Sequence, residues 1–424
     1  MLQRNDEQAR ATAEAIARRS YGKLVAFLSA RTRNVAAAED ALSEAFAAAL
    51  TDWPVNGIPT SPEAWLMTTA RRRTIDAARR QRRHDDAGDD LATLADELQT
   101  LEAMASDKAV PDDRLALMFV CAHPAIDPAV RAPLILQTIL GFDAATVASA
   151  FLVAPATMSQ RLVRAKSKIR QAGIPFRVPE RADLGERLDA VLEAIYAAFA
   201  EGWSDPVGTE VRRRNLAEEG IWLGRLMASL LPEEPEALGL LALMLFAEAR
   251  RSARRDADGH YVPLADQDTA LWDAALIEDA ERLLFRASDK GVIGRYQLEA
   301  AIQSAHVVRR IHGRSDWPAI VRLYDALAAI TGSPVVAINR AIAVAETDGA
   351  AAGLAALEAL AADPRLKEYQ PYWAARANLL GLSGHSEAAD RAYERAIGLE
   401  SDPAVRQFLQ NRRAALGAPS SRSG

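Results

Sequence analysis

The residues best suited to chemistry in this chain are cations set at helical spacing. In PATMSQRLVRAKSKIR, residues 155–170, Met158, Leu162, Ala165 and Ile169 fall at i, i+4, i+7 and i+11 and form one apolar seam. Thr157, Arg161, Arg164 and Lys168 repeat that spacing one residue earlier, about 100° round the helix, with Gln160 beside them. The stretch contains no acidic residue. A helix seated by its seam and offering these side chains on the next face suits the DNA major groove. There an arginine fork bonds guanine O6 and N7, and a lysine neutralises phosphate. An isolated basic helix is more often a solvated face. Here the preceding residues supply a seat: a short helix at 144–150, a turn at 151–154 (FLVA) and Pro155 opening the second helix have the layout of a helix-turn-helix.

A second basic island, AWLMTTARRRTIDAARRQRR at 64–83, has seven arginines and one aspartate. Arg72, Arg79 and Arg83 share a face with Asp76 between them, flanked by Arg73 and Arg80, and such a stripe can follow a phosphate backbone. Trp65, with Trp53 and Asn56 of the preceding loop, could meet unstacked bases, since opened strands are held by aromatic platforms and polar edges. Core packing competes with that role for both tryptophans, and for Trp53 it is the stronger reading.

Enzymatic readings are poorer. Cys121, His123 and Asp127 could supply nucleophile, base and orienter. They lie within one short stretch beside Pro124 and Pro128, which reads as a turn between helices. Asp266, Asp268 and Asp273 could hold a cation, but read as loop and cap residues. No Gly-rich phosphate loop or nucleotide fingerprint is present. The expectation is a protein with no catalytic residue, no cofactor and no metal site.

These residues must be positioned by helices. Hydrophobic residues make up 50% of the 424, mostly Ala and Leu, with 25% charged and 6% aromatic, which excludes a disordered or collagen-like chain and favours an all-α fold of about three domains. The single cysteine, Cys121, rules out an intramolecular disulfide framework and a cysteine-rich zinc site, and fits a reducing compartment. The start, MLQRNDEQAR, does not read as a signal peptide, and the longest apolar run, 238–247, is too short to span a bilayer. A soluble, cytoplasmic protein without a membrane partner is expected. The net charge of −6 argues against bulk attraction to nucleic acid, but its distribution is uneven. Residues 1–83 carry 14 Lys/Arg against 9 Asp/Glu, residues 84–113 carry 1 against 10, and residues 114–173 carry 7 against 2. Screening confines such fields to roughly 10 Å, so the basic islands act locally.

Asn34 can cap a helix over 35–50 in which Leu42, Phe46 and Leu50 are buried, leaving Glu39, Asp40, Ser43 and Glu44 towards solvent. A loop follows at 51–61, then Pro62 opens a helix to about residue 83. The remainder after residue 184 is helical and repeats weakly: Ser315, Gly349 and Gly384 stand 34 and 35 residues apart. Trp373, Ala377, Leu380, Gly384, Ala389, Tyr393 and Ala396 have the spacing of a tetratricopeptide (TPR) repeat.

The order of parts resembles the extracytoplasmic-function (ECF) sigma factors of bacterial RNA polymerase. The resemblance rests on AEDALSEAFAAAL (38–50), PEAWLMTTARRRTIDAARRQRR (62–83), the acidic linker and QRLVRAKSKIR (160–170). The later stretches LDAVLEAIYAAFAEGW (188–203), GLLALMLFAEARRSARRD (239–256), PLADQDTALWD (263–273) and SPVVAINRAIAVA (333–345) are similar to the TPR-like extension of one ECF subgroup. The resemblance implies region 2 at 1–83, an acidic linker at 84–111, region 4 at 112–173, a joint at 174–183, a helical extension at 184–415 and a disordered tail at 416–424. It implies that Asp40 and Glu44 meet the β′ clamp helices of the polymerase core, with the β flap a further core contact. Asn56, Trp65, Arg72, Arg73, Arg79, Arg80 and Arg83 would serve the −10 element. Thr157, Gln160, Arg161, Arg164 and Lys168 would read the −35 element. Ser43 replaces a frequent Gln, and Ala154 a frequent Ser or Thr cap. The extension would take a peptide, a protein or the sigma half itself. The competing reading is a TPR-type adaptor with a vestigial DNA-binding half.

Overall fold

The computed structural model describes residues 2–82, 112–151, 153–203 and 211–417. It is an all-α fold: among the described residues there is no strand, only one isolated antiparallel bridge, Arg255 with Tyr261. The chain divides into two compact units, Met1–Gly202 and Trp203–Gly424. No described helix is long and apolar enough to cross a membrane.

In the first unit α1 (Leu2–Thr32) packs against α2 (Val35–Asn56), which packs against α3 (Pro62–Arg82). Helices α4 (Arg114–Cys121) and α5 (Pro128–Leu140) lie against α1 as well. They are followed by α6 (Ala144–Ala150), α7 (Pro155–Gln171) and α8 (Arg181–Trp203). Asn34 caps α2, its Oδ1 accepting the Ala37 N–H at 3.2 Å. Gly22 is where α1 crosses α5: a Cβ there would stand 2.1 Å from the Ile139 carbonyl oxygen.

Four sequence expectations change here. Helix α2 runs to Asn56, with Pro54 inside its last turns, so 51–56 is not a loop. Its buried seam is Ala38, Leu42, Ala45, Ala49 and Trp53, while Phe46 is half-buried and Leu50 is 44% exposed. The helical period is as expected, but Trp53 extends the seam by a turn, and Gly57 at φ 86° ends the helix with its N–H on the Trp53 carbonyl. Glu39 is buried rather than solvent-facing. Helix α8 starts inside the expected joint and, all but its last residue Trp203, falls in the first unit, where Arg187 donates to the Phe119 carbonyl at 3.1 Å. The acidic linker expected at 84–111 lies outside the described residues.

The second unit starts with α9 (Val211–Leu230) and α10 (Pro235–Ala249), the latter apolar on nearly every face and accordingly buried along most of its length. Around it come α11 (Ala274–Ser288) and α12 (Arg295–Val307), then the single turn α13 (Arg309–His312). Glu236 of α10 accepts the N–H groups of Tyr296 and Gln297 at 2.9 and 3.1 Å, capping α12 from outside. Helices α14 (Trp317–Thr331), α15 (Pro334–Asp348), α16 (Ala350–Glu358), α17 (Gln370–Leu382), α18 (Ser386–Leu399) and α19 (Pro403–Ala414) then pack each against the next. Gly349 and Gly384 make two of the turns at φ 93° and 81°. Ala377, Leu380, Ala389, Tyr393 and Ala396 share one buried cluster. Leu416, expected in a disordered tail, packs against that cluster from the turn Ala415–Gly417 because its side chain finds apolar cover there. Residues 418–424 lie outside the described residues.

Candidate nucleic-acid interface

Helix α7 is amphipathic in three dimensions as on paper. Met158, Leu162, Ala165 and Ile169 are buried, and Thr157, Gln160, Arg161, Arg164 and Lys168 are all exposed. The seam fits against α5 and α6, so the packing turns the polar face outward. Gly141 at φ 74° ends α5, and the Asp143 carboxylate caps α6 through the Thr146 N–H at 2.7 Å. Ala154 precedes α7 without a side-chain cap, leaving N–H groups of the first turn for an outside acceptor.

The second island is less uniform. Arg72 and Arg73 are exposed on α3, and Arg73 lies 3.5 Å from Glu44 of α2, both side chains about half exposed. The basic stripe thus begins beside the acidic pair Asp40 and Glu44, which are exposed on α2. Arg79 and Arg80 stand near the end of α3, and Arg83 lies outside the described residues. Asn56 closes α2 and donates to Asp52 at 2.7 Å. Trp53 is a core residue, 1% exposed, and Trp65 is half-buried with its ring edge-on to Trp53 at 5.6 Å. Only Trp65 of the two retains a surface for a base.

Sequence reasoning missed one pair. Lys166, on the flank of α7, forms an ion pair with Glu39 of α2, both side chains 11% exposed. Burial raises the Glu39 carboxyl above its ordinary range although Lys166 pulls it down. Glu39 Oε1 is buried with no hydrogen-bond partner, so the pair is only partly satisfied. Burial, with Glu39 and Asp40 nearby, also pushes the Tyr21 hydroxyl well above its usual value. The partners lie 127 residues apart, a separation at which no local pattern signals a contact.

The three residues that could imitate a catalytic triad do not act together. Cys121 is fully buried, its Sγ 3.3 Å from Thr138 Oγ1 and its thiol pushed up to about 12 by burial. His123 Nδ1 accepts the Ala125 N–H, and Asp127 caps α5 through the Ala129 N–H. Asp268 and Asp273 likewise cap helical turns, through Ala270 and Leu276. Asp256, Asp258 and His260 gather on one loop, but all are exposed, and Asp256 is engaged by the N–H groups of the other two.

Residues 16–84 match the family described as Sigma-70 region 2, and residues 187–288 match a family of unknown function (DUF6596). Fold and first match define the class: an all-helical protein with a sigma-70 region 2 domain in its first unit. The chain is 39% identical over 380 residues to the uncharacterized protein R00370 of Rhizobium meliloti (strain 1021), covering 89% of both chains. It belongs to the same family as that protein. No solved structure matches the chain.

Proposed function

We propose that the protein is an ECF-type sigma factor that binds core RNA polymerase and directs initiation at promoters with −10 and −35 elements. What supports this reading most is the region 2 match together with, in the same unit, a short helix and turn leading into a second helix that exposes five polar side chains on one face. In this reading Asp40 and Glu44 meet the β′ clamp helices. Trp65, Asn56 and the arginines of α3 hold the opened −10 strand. Helix α7 enters the major groove at −35, with Arg161 and Arg164 on base edges and Lys168 on phosphate. The polymerase performs the chemistry, and this chain supplies recognition and strand capture. The second unit, with its successive helix pairs, serves as a TPR-like regulatory or interaction domain. Run-off transcription with core polymerase, on DNA from upstream of the protein's own operon, tests the reading. A transcript that depends on the factor is expected. Absence of that transcript, together with capture of a protein by the second unit, favours an adaptor.

A further inference from the structure

The run Arg250–Arg255 at the end of α10 contains four arginines with unequal partners. Arg251 pairs with Glu248 at 2.8 Å, and Arg255 pairs with Asp402 at 2.8 Å. Arg250 and Arg254, and Arg309 of α13, have no carboxylate within ion-pair distance among the described residues. Their hydrogen bonds go to neutral oxygens. Arg250 donates to Gln303, Arg254 to the Trp203 carbonyl at 2.9 Å, and Arg309 to the carbonyls of Leu264 and Gln267.

All three are only partly exposed. Arg250 and Arg309 converge on one aromatic ring, their guanidinium carbons 5.9 and 5.7 Å from the centroid of Trp272. Cation–π contact and carbonyl acceptors hold the forks in place but leave the net positive charge uncancelled. A guanidinium cannot escape by losing its proton. Next door, burial first and then the charges of Arg250 and Arg309 lower the His306 pKa to about 4, keeping it neutral. Two buried polar atoms in the same cluster, Trp272 Nε1 and Gln267 Oε1, also lack hydrogen-bond partners. Buried polar groups in this state call for a partner, an ordered water or a ligand atom.

We propose that Arg250 and Arg309 beside Trp272, with Arg254 one turn after Arg250, form a binding site for a small phosphorylated ligand. A phosphoryl dianion cancels more of the clustered charge than a single carboxylate and takes several guanidinium donors at once. Guanidiniums set this far below the surface suit a small anion rather than a polymer backbone. The site stands independently of what the first unit does.

The test uses the full chain and inorganic phosphate as probe. Arginine modification with phenylglyoxal, mapped by peptide mass spectrometry, should show Arg250, Arg254 and Arg309 protected saturably by phosphate. Arg161 and Arg340 should keep their reactivity. Calorimetric titration should show phosphate binding weakened roughly tenfold or more in Arg309→Gln, as loss of a charge-assisted fork predicts. Should that variant fail to fold, Arg309→Lys keeps the charge, loses the fork and should still weaken binding. Equal protection by sodium chloride at the same ionic strength would overturn the site. Equal protection by acetate would overturn its phosphoryl character, and unchanged affinity in the folded variants would overturn the assignment of Arg309.

Discussion

Replacing Lys166 with methionine should loosen the seat of α7 on the first unit. The change leaves the Glu39 carboxylate, 9% exposed as a residue, without its cation in a site where one oxygen already lacks a partner. Removing one member of a buried pair costs about 3–5 kcal/mol, a large share of the roughly 5–15 kcal/mol that holds a domain folded. A chain of two units has no single unfolding free energy, so the measurement must be local. Hydrogen exchange in peptides from α2 and α7 reports the opening, and the stated cost corresponds to exchange faster by roughly two to four orders of magnitude. The pH dependence has a defined sign. The Glu39 pKa is raised in the folded state, so its contribution is most favourable below the ordinary glutamate value of 4.5 and declines as pH rises through the folded value. Without Lys166 that folded value moves higher still. The deficit of Lys166→Met should therefore be greatest at neutral pH and shrink on acidification. Glu39→Gln combined with Lys166→Met removes both charges and should restore slow exchange. Exchange within tenfold of wild type in the single variant at neutral pH, or a double variant as labile as the single, would refute the reasoning.

Arg161→Ala and Arg164→Ala should each weaken promoter binding by about 1–3 kcal/mol and relax specificity at one position, as read by binding assays on mutated −35 sequences; unchanged selection in both removes α7 as the reader. Gly22→Ala forces α1 and α5 apart, since the new Cβ meets backbone rather than a movable side chain, and should destabilise the first unit by about 1–3 kcal/mol in exchange from both helices. His306, 8% exposed and with its pKa lowered from 6.5 to about 4, makes a contribution to the second unit that is intact above pH 6.5 and lost as pH falls through about 4. The loss amounts to about 3 kcal/mol, because the unfolded imidazole takes its proton first. His306→Gln should flatten that acid limb in urea unfolding of the second unit, and parallel limbs for both proteins would count against it.

What the sequence determined by itself is local and periodic. The seam and polar face of α7 follow from a spacing close to 3.6, which any helix converts into two sides whatever its surroundings. The Asn34 cap and the helix starts at Pro62 and Pro155 follow from backbone groups that a residue or its neighbours satisfy. The arginine density of 64–83 and the absence of a nucleotide fingerprint are likewise read off directly. The tertiary structure decided the rest, because each remaining feature depends on groups far apart in the chain. Glu39 looks like a surface acid until α7 lays Lys166 over it. Trp53 and Trp65 carry the same side chain, and only their packing sends one to the core and leaves the other at its edge. Helix α8 joins the first unit through the contact of Arg187 with Phe119, 68 residues earlier. The arginines that follow α10 read in one dimension as an ordinary charged run. Folding brings Asp402 to Arg255 and, among the described residues, no carboxylate to Arg250 or Arg254, since such a pair is set by distance in space and not by order in the chain.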